Sequence, residues 1–430
     1  MERPSQKEQL KIWTYVAAHS FGGPLGQIAV IHKIIVEDRK LISEERFLHA
    51  LNFCMLLPGP EAQQLATYMG WLMNKWRGGL LAGGLFILPG FLSILLLSYL
   101  YVIYNNVLFV QGLFYGVKPA IVAIVLSALV SLSIRSLQSG FFWTLAALSF
   151  ISLFFLKISF PLVIVFSALL GMIYGLFFVH PSERFDQKTL ERPKFSLALK
   201  TIGIWLVVWL APILLTFVVF GKDSTLHSMN VFFSKMSMVS FGGAYAALNY
   251  VAQEAVESYG WLQGSEMLDG LAMAETTPGP LIQTVQFVGF MGAYRFPDLA
   301  SPFLSAFLGS VLATWMTFAP CFLWIFTFAP YVEFIAHQRV LGETLKSITA
   351  SVVGVIFNLS LWFTFKALFR ESQHVDFFFL DFDYPSPISI DLYATGICVF
   401  SLFLRFKLKK GLFYILTSSI ILGIIAKYVF

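Results

Sequence analysis

Ser20-Phe21-Gly22-Gly23-Pro24 is followed, 37 positions after Phe21, by Pro58-Gly59-Pro60. The chain then spells the arrangement again, as Ser240-Phe241-Gly242-Gly243-Ala244 and, 37 positions after Phe241, Pro278-Gly279-Pro280. Both anchors are displaced by 220 residues, so the chain is a duplicated unit. Further pairs hold the same offset, Glu37 with Glu257 and Gln63 with Gln283. Beyond them Phe86–Pro89 falls opposite Thr317–Pro320, and Ala123–Val125 opposite Gly354–Ile356, at a displacement of 231. The extra length sits around Arg295–Ser301, which reads as a loop. Each copy breaks a hydrophobic segment with glycine and proline. In lipid such a break survives only where it is buried in protein or lines a cavity, because its freed N–H and C=O groups find no water.

Lipid is the solvent that the rest of the chain demands. Apolar runs recur at Leu80–Tyr104, Ala120–Ile134, Phe142–Leu156, Pro161–Val179, Ile202–Phe220, Ala300–Tyr331, Ile348–Phe365, Ile388–Leu404 and Leu412–Ile425. Several reach the ~20 residues that cross a hydrocarbon core. Charged residues make up only 12% of the chain against 57% hydrophobic, and the mean hydropathy is +0.76. A soluble core of this size would show amphipathic periodicity and more charge. The fold class expected is an all-α integral membrane protein. Met1–Lys11 is polar, with no cleavable signal behind it. Cys54, Cys321 and Cys398 are scattered in apolar contexts and read as packing residues. They form neither a disulfide framework nor a metal site. The net charge of +5 is spread over loops and speaks to topology, not to nucleic acid.

The organisation read from these patterns is a first membrane repeat over residues 1–180 and a second over 229–430. Residues 181–228 supply a polar linker, His180–Lys194 at its core, and a connecting helix. Two motif segments and four plainer helices per half, plus one connector, turn the second copy upside down. That is the inverted-topology repeat of many secondary transporters, with broken or re-entrant helices at the FGG and PGP motifs. Parity survives if the motif segments are re-entrant hairpins. Lysine and arginine then orient the chain. With the N-terminus in the cytoplasm, Arg3, Lys7, Lys11, Lys75, Arg77, Arg135, the Arg184–Lys200 loop, Arg339, Lys346 and the Arg405–Lys410 cluster lie inside. Lys157, Lys222, Arg295, Lys366, Arg370 and Lys427 lie outside. The loop holding Lys33, Arg39, Lys40 and Arg46 fits this scheme only if the first pair re-enters. The protein is expected in the cell inner (plasma) membrane, multi-pass.

Helices that start inside a membrane present unpaired N–H groups and a positive dipole end, which together bind anions. Gly22, Gly23, Gly242 and Gly243 permit positive φ, and Pro58, Pro60, Pro278 and Pro280 begin or end helices around Gly59 and Gly279. Ser20, Asn52 and Gln63 flank the first breaks, with Phe21. Ser240, Thr276, Thr277 and Gln283 flank the second, with Phe241. Such uncharged donors suit an oxyanion that must be held and released; interhelical hydrogen bonding is the competing account. Lys118 and Lys235 are candidate countercharges. His19 and Glu275 are candidate carriers of a coupling proton. Snorkelling is the alternative for the lysines. Glu61, just after the first PGP, complements a helix dipole or competes with a bound anion. The Phe377–Phe379 stretch reads as an interface belt. No P-loop, HExxH or GxSxG occurs, so neither ATP hydrolysis nor other enzymatic chemistry is expected, and no cofactor.

Four stretches carry a resemblance: Ser20–Gln27, Phe47–Gly70 (FLHALNFCMLLPGPEAQQLATYMG), Lys118–Val125 and Gly270–Gln283. Through them the chain resembles the chromate ion transporter family, in its long two-domain form. The resemblance implies secondary transport of chromate, outward and giving resistance, driven by an ion gradient. It also implies competition from sulfate, a tetrahedral dianion of similar size. The alternatives kept are a sulfate transporter or sulfate/chromate exchanger, and an anion channel. Expected partners are a chromate or sulfate oxyanion and the lipid bilayer, with a homodimer as an option.

Overall fold

The computed structural model describes residues 4–178, 195–332, 339–377 and 380–429. The linker His180–Lys194 and the pair Phe378-Phe379 lie outside them. The first copy comprises α1 (Gln6–His19), α2 (Gly23–His32), α3 (Glu44–Met55), α4 (Glu61–Tyr104), α5 (Leu108–Ser136), α6 (Gly140–Phe154) and α7 (Phe160–Phe177). After the connector α8 (Phe195–Phe220), the second comprises α9 (Thr225–Val239), α10 (Ala244–Gln253), α11 (Gly264–Thr276), α12 (Thr284–Arg295) and α13 (Pro302–Phe328). It continues with α14 (Arg339–Leu368), α15 (Leu392–Leu402) and α16 (Leu412–Val429). The counts agree once α4 is divided. Its dihedrals leave the helical region at Asn74 (φ −145°, ψ 40°) and Lys75 (φ 49°, ψ −141°), so it is two limbs, matching α12 and α13. The loop Arg295–Ser301 replaces that corner in the second copy.

Among the described residues, each of the nine apolar runs holds a helix, and seven helices are long and apolar enough to cross a membrane. The local signals are conventional. Ser5, Ser43, Ser224 and Ser301 cap helix starts through their hydroxyls. Gln263 and Glu266 form a reciprocal box at the start of α11. One departure from an all-α chain is a two-stranded antiparallel hairpin, β1 (Ser372–Phe377) and β2 (Leu380–Pro385), between α14 and α15. The charged, alternating Ser372–Asp383 stretch carries that period of two, and the sequence reading passed over it.

The motif helices are short, from 10 to 15 residues among α1–α3 and α9–α12. At about 1.5 Å per residue none covers the ~30 Å of a hydrocarbon core. They fold back on one another in hairpins with the motifs at the tips. Phe53 meets Tyr68 across the first PGP, with ring centroids 5.6 Å apart. Phe232 meets Tyr250 across the second FGG at 5.4 Å, and Gly270 abuts the Phe287 ring across the second PGP. Small residues permit the closest crossings. Gly70 lies on Gly78 between the limbs of α4, and Gly289 on Gly309 between α12 and α13, where Gly78 and Gly309 are matched positions.

Candidate functional site

The six motif glycines all take positive φ: Gly22 81°, Gly23 73°, Gly59 123°, Gly242 75°, Gly243 94° and Gly279 118°. These are conformations that an L side chain rarely adopts. Around them the two copies exchange backbone hydrogen bonds. The Gly59 N–H donates to the Ser240 carbonyl at 2.7 Å, and the Gly279 N–H donates to the Ser20 carbonyl at 3.0 Å. Each PGP tip also presses on the long helix of the other copy. A Cβ on Gly59 would meet Cys321 Sγ at 2.8 Å, and one on Gly279 would meet Gly90 Cα at 2.9 Å. The contacts are reciprocal: what one copy gives the other at its PGP tip, it receives at its FGG turn.

Beside this junction lies a cavity of about 910 Å³. Both FGG turns reach its wall through Gly22, Gly23, Gly242 and Gly243, where α2 and α10 begin. Helix N-termini aimed at a cavity bring a partial positive charge without a side chain. Three full cations join them, Arg135, Lys346 and Arg405. Arg405 is half-buried, and its Nε donates to Ser127 Oγ at 2.7 Å. It sits in a π-helical turn, Phe403–Lys407. Arg135 lies at the exposed end of α5, and Lys346 pairs with Glu343 at 2.8 Å. Two carboxylates face the same space. Glu61 stands in the first turn of α4, its Oε1 3.7 Å from where a Gly243 side chain would begin. Glu275 is buried and accepts from the Tyr245 hydroxyl at 2.5 Å. Asn52, His49, Ser131, Ser136, Gln138 and Thr349 add to the polar lining.

Of the residues singled out in the sequence, Gly22, Gly23, Asn52, Glu61, Gly242, Gly243 and Glu275 meet at this cavity. The others lie elsewhere, because they serve the junction or the helices. Ser20 and Ser240 turn their hydroxyls back to Val16 and Met236, and Thr276 and Thr277 bond to carbonyls within α11. Pro58, Pro60, Pro278 and Pro280 shape the PGP tips. Gln63 and Gln283 are buried behind the tips, bonding Thr67 and Gln286, with an Oε1 unpartnered in each. Phe21, Lys235 and His19 are exposed outside the cavity, His19 donating from Nδ1 to the Tyr15 carbonyl. Phe241 is half-buried and also off the cavity wall. Lys118 is held by Asp269 at 3.2 Å and does not reach the cavity. The three cations were missed as site residues. In the sequence Arg135, Lys346 and Arg405 speak only to topology, and their distance from the motifs along the chain hides them. Cys54, Cys321 and Cys398 are buried, free thiols.

Residues 8–172 and 228–424 match the family described as "Chromate transporter". The two segments follow the two copies. A chromate transport protein of Pseudomonas aeruginosa is 30% identical over 78% of this chain and 76% of its own length. The chromate transport protein of Cupriavidus metallidurans is 27% identical over 78% and 77%. An uncharacterized transporter of Methanocaldococcus jannaschii is 24% identical over 80% and 81%. No solved structure matches the chain. Long apolar helices and these relatives describe a multi-pass membrane protein, and the chain belongs to the chromate transporter family.

Proposed function

We propose that this protein is a secondary transporter of chromate whose substrate binds in the cavity between the two repeats. The carrying observation is that one space of about 910 Å³ collects both FGG turns, two helix N-termini and the cations Arg135, Lys346 and Arg405. A tetrahedral dianion is matched by donors that converge from several sides, with arginine supplying planar, multi-point contact. The reciprocal Gly59–Ser240 and Gly279–Ser20 bonds support an inverted repeat whose two-fold axis lies in the membrane plane. The short motif hairpins support re-entrant segments meeting near the midplane. Nine crossings then leave the N-terminus inside and the C-terminus outside, with the inner (plasma) membrane as location. On that reading Arg135, Lys346 and Arg405 put the cavity mouth on the cytoplasmic side, which suits loading for efflux and hence resistance. Glu275, paired with Tyr245 in the cavity wall, is the better-placed carrier of a coupling proton; His19 stands outside.

Flux of labelled chromate in proteoliposomes, with and without a pH gradient, tests this. Arg405→Ala is expected to raise KM at least tenfold, about 1.4 kcal/mol of lost binding. Glu275→Gln is expected to flatten the dependence on the gradient. If chromate fails to move under any gradient, the substrate is wrong; if sulfate moves instead, the sulfate transporter replaces it. Flux that ignores the gradient and Glu275→Gln alike would mean a channel.

A further inference from the structure

Away from the cavity, the copies are joined by a largely buried polar cluster that the transport reading leaves unused. Lys118 of α5 meets Asp269 Oδ2 of α11 at 3.2 Å, and the Tyr101 hydroxyl, near the end of α4, donates to the same oxygen at 2.9 Å. The Asp269 side chain is only 3% exposed. At the base of the same hairpin Arg295 holds Glu266 at 2.6 Å. The Lys118 and Tyr101 contacts tie α5 and α4 of the first copy to α11 of the second, and the Arg295–Glu266 pair braces α11 within the second copy.

The repeat supplies an internal control. By the offsets of 220 and 231, Asp269 corresponds to His49, Lys118 to Thr349 and Tyr101 to Val332. Glu266 and Arg295 correspond to Arg46 and Lys75, two cations. None of the matched sets can form the equivalent ion pair. The packing follows. α11 lies directly along α5, whereas α3 and α14, their counterparts, have no comparable packing, and His49 and Thr349 line the cavity instead. Where the charges are present the helices pack on one another; at the matched positions without them the residues line the cavity.

We propose that Lys118, Asp269 and Tyr101 form the gate on the face opposite the cavity, and that transport requires this cluster to break. The proposal rests on the inverted-repeat reading above. A buried ion pair is suited to such a task. Its mutual attraction is offset by the desolvation of both partners, so opening, which rehydrates them, is not prohibitively uphill. Removing one partner leaves the other charge buried and favours the hydrated, open form. Once parted, Lys118 stands as a free cation on the exit route of an anion.

Labelling of single cysteines with a membrane-impermeant maleimide, on a chain lacking Cys54, Cys321 and Cys398, tests the gate without reference to any substrate. Ala272→Cys is the reporter: it is buried, and its counterpart Asn52 is exposed in the cavity wall. Lys118→Met and Asp269→Asn are expected to speed its labelling about tenfold and to slow that of Asn52→Cys, as a shifted two-state equilibrium requires. Tyr101→Phe should do the same more weakly and is the variant to use if the charge variants fail to fold. The swap Lys118→Asp with Asp269→Lys should return labelling toward the parent rate. Unchanged labelling at Ala272→Cys would overturn the gate. So would an equal rise at Ala82→Cys, a fully buried position packed in the apolar cluster of α1, α3, α4 and the end of α13, since that reports general loosening. If the gate responds but both reporters label from the same side of the membrane, the inverted arrangement fails and the latch stands.

Discussion

The FGG and PGP hairpins of the second copy, α9 to α12, bury into one apolar cluster with α5, α6, α7 and α14. Those of the first copy, α1 to α3 and the first limb of α4, form a separate cluster with the end of α13. The matched elements thus have the same local plan in different surroundings, and the cavity lies where the first set stands away from α14. The contrast teaches that a duplicated scaffold need not be symmetric in state. On the inverted-repeat arrangement proposed above, such a difference between the copies is what would leave one side open. The first set of hairpins is then the body expected to move against the rest.

Matched substitutions can break this comparison. The largest effect is expected at the PGP tips. Gly279→Val combines about 1–2 kcal/mol of positive-φ strain with a clash against the backbone of Gly90, about 1–3 kcal/mol more. Gly59→Val meets side chains, Cys321 and Gln64, that can give way. Thermal unfolding in detergent should therefore rank Gly279→Val as the worse of the two. Equal losses would mean that the tips are packed alike.

The FGG turns should show the next largest difference. A Cβ on Gly242 falls 2.7 Å from Val352, while one on Gly22 meets open space. Gly242→Ala should lose about 2–4 kcal/mol, and Gly22→Ala only the ~1–2 kcal/mol of strain. The same melts check this, and a reversal would sink the claim that the first copy is the loosely packed one.

A smaller contrast lies at the starts of α6 and α15. Asp391 caps α15, accepting from the Tyr393 and Ala394 amides and the Tyr115 hydroxyl, whereas the matched Ser139 hydroxyl has no partner. Asp391→Ala should cost about 1–2 kcal/mol and Ser139→Ala little. Burial pushes the Asp391 carboxyl up, but the Ala394 amide, Tyr115 and Arg370 outweigh it and hold the group below its ordinary value. Its contribution is therefore present above the ordinary aspartate value of ~3.9 and lost as pH falls through the lower folded one. Unfolding measured against pH should show this dependence in the parent and not in Asp391→Ala.

The smallest effect belongs to the β1–β2 hairpin, which has no counterpart in the first copy. The Asp383 carboxylate bonded to His374 raises the pKa of that imidazole. The tie is present at and below the ordinary histidine value of ~6.5 and is lost as pH rises through the raised one. Corrected for the intrinsic base-catalysed rate, amide protection in β1 and β2 should fall across that window, and His374→Asn should abolish the fall.

Much of the architecture was legible because it rests on local chemistry. Apolar runs located nine helices, and the glycine doublets located the breaks, since φ > 0 is a demand made by a single residue. The β1–β2 hairpin escaped because its alternation is brief and set among membrane segments. Within the site, Asn52, Glu275 and four glycines were readable from their nearness to the motifs. Arg135, Lys346 and Arg405 were not, as three different helix ends carry them to one wall. Lys118 was read as free charge because its partner Asp269 is more than a hundred residues away in the chain and in the other copy.

The sequence by itself determined the duplication, the membrane class and the places where the backbone departs from helix, because hydrophobicity, spacing and φ are properties of residues and their neighbours. The tertiary structure alone decided how the two copies meet. That choice depends on pairings between copies, Lys118 with Asp269 and Gly59 with Ser240, whose energies exist only when distant segments are brought within a few ångströms.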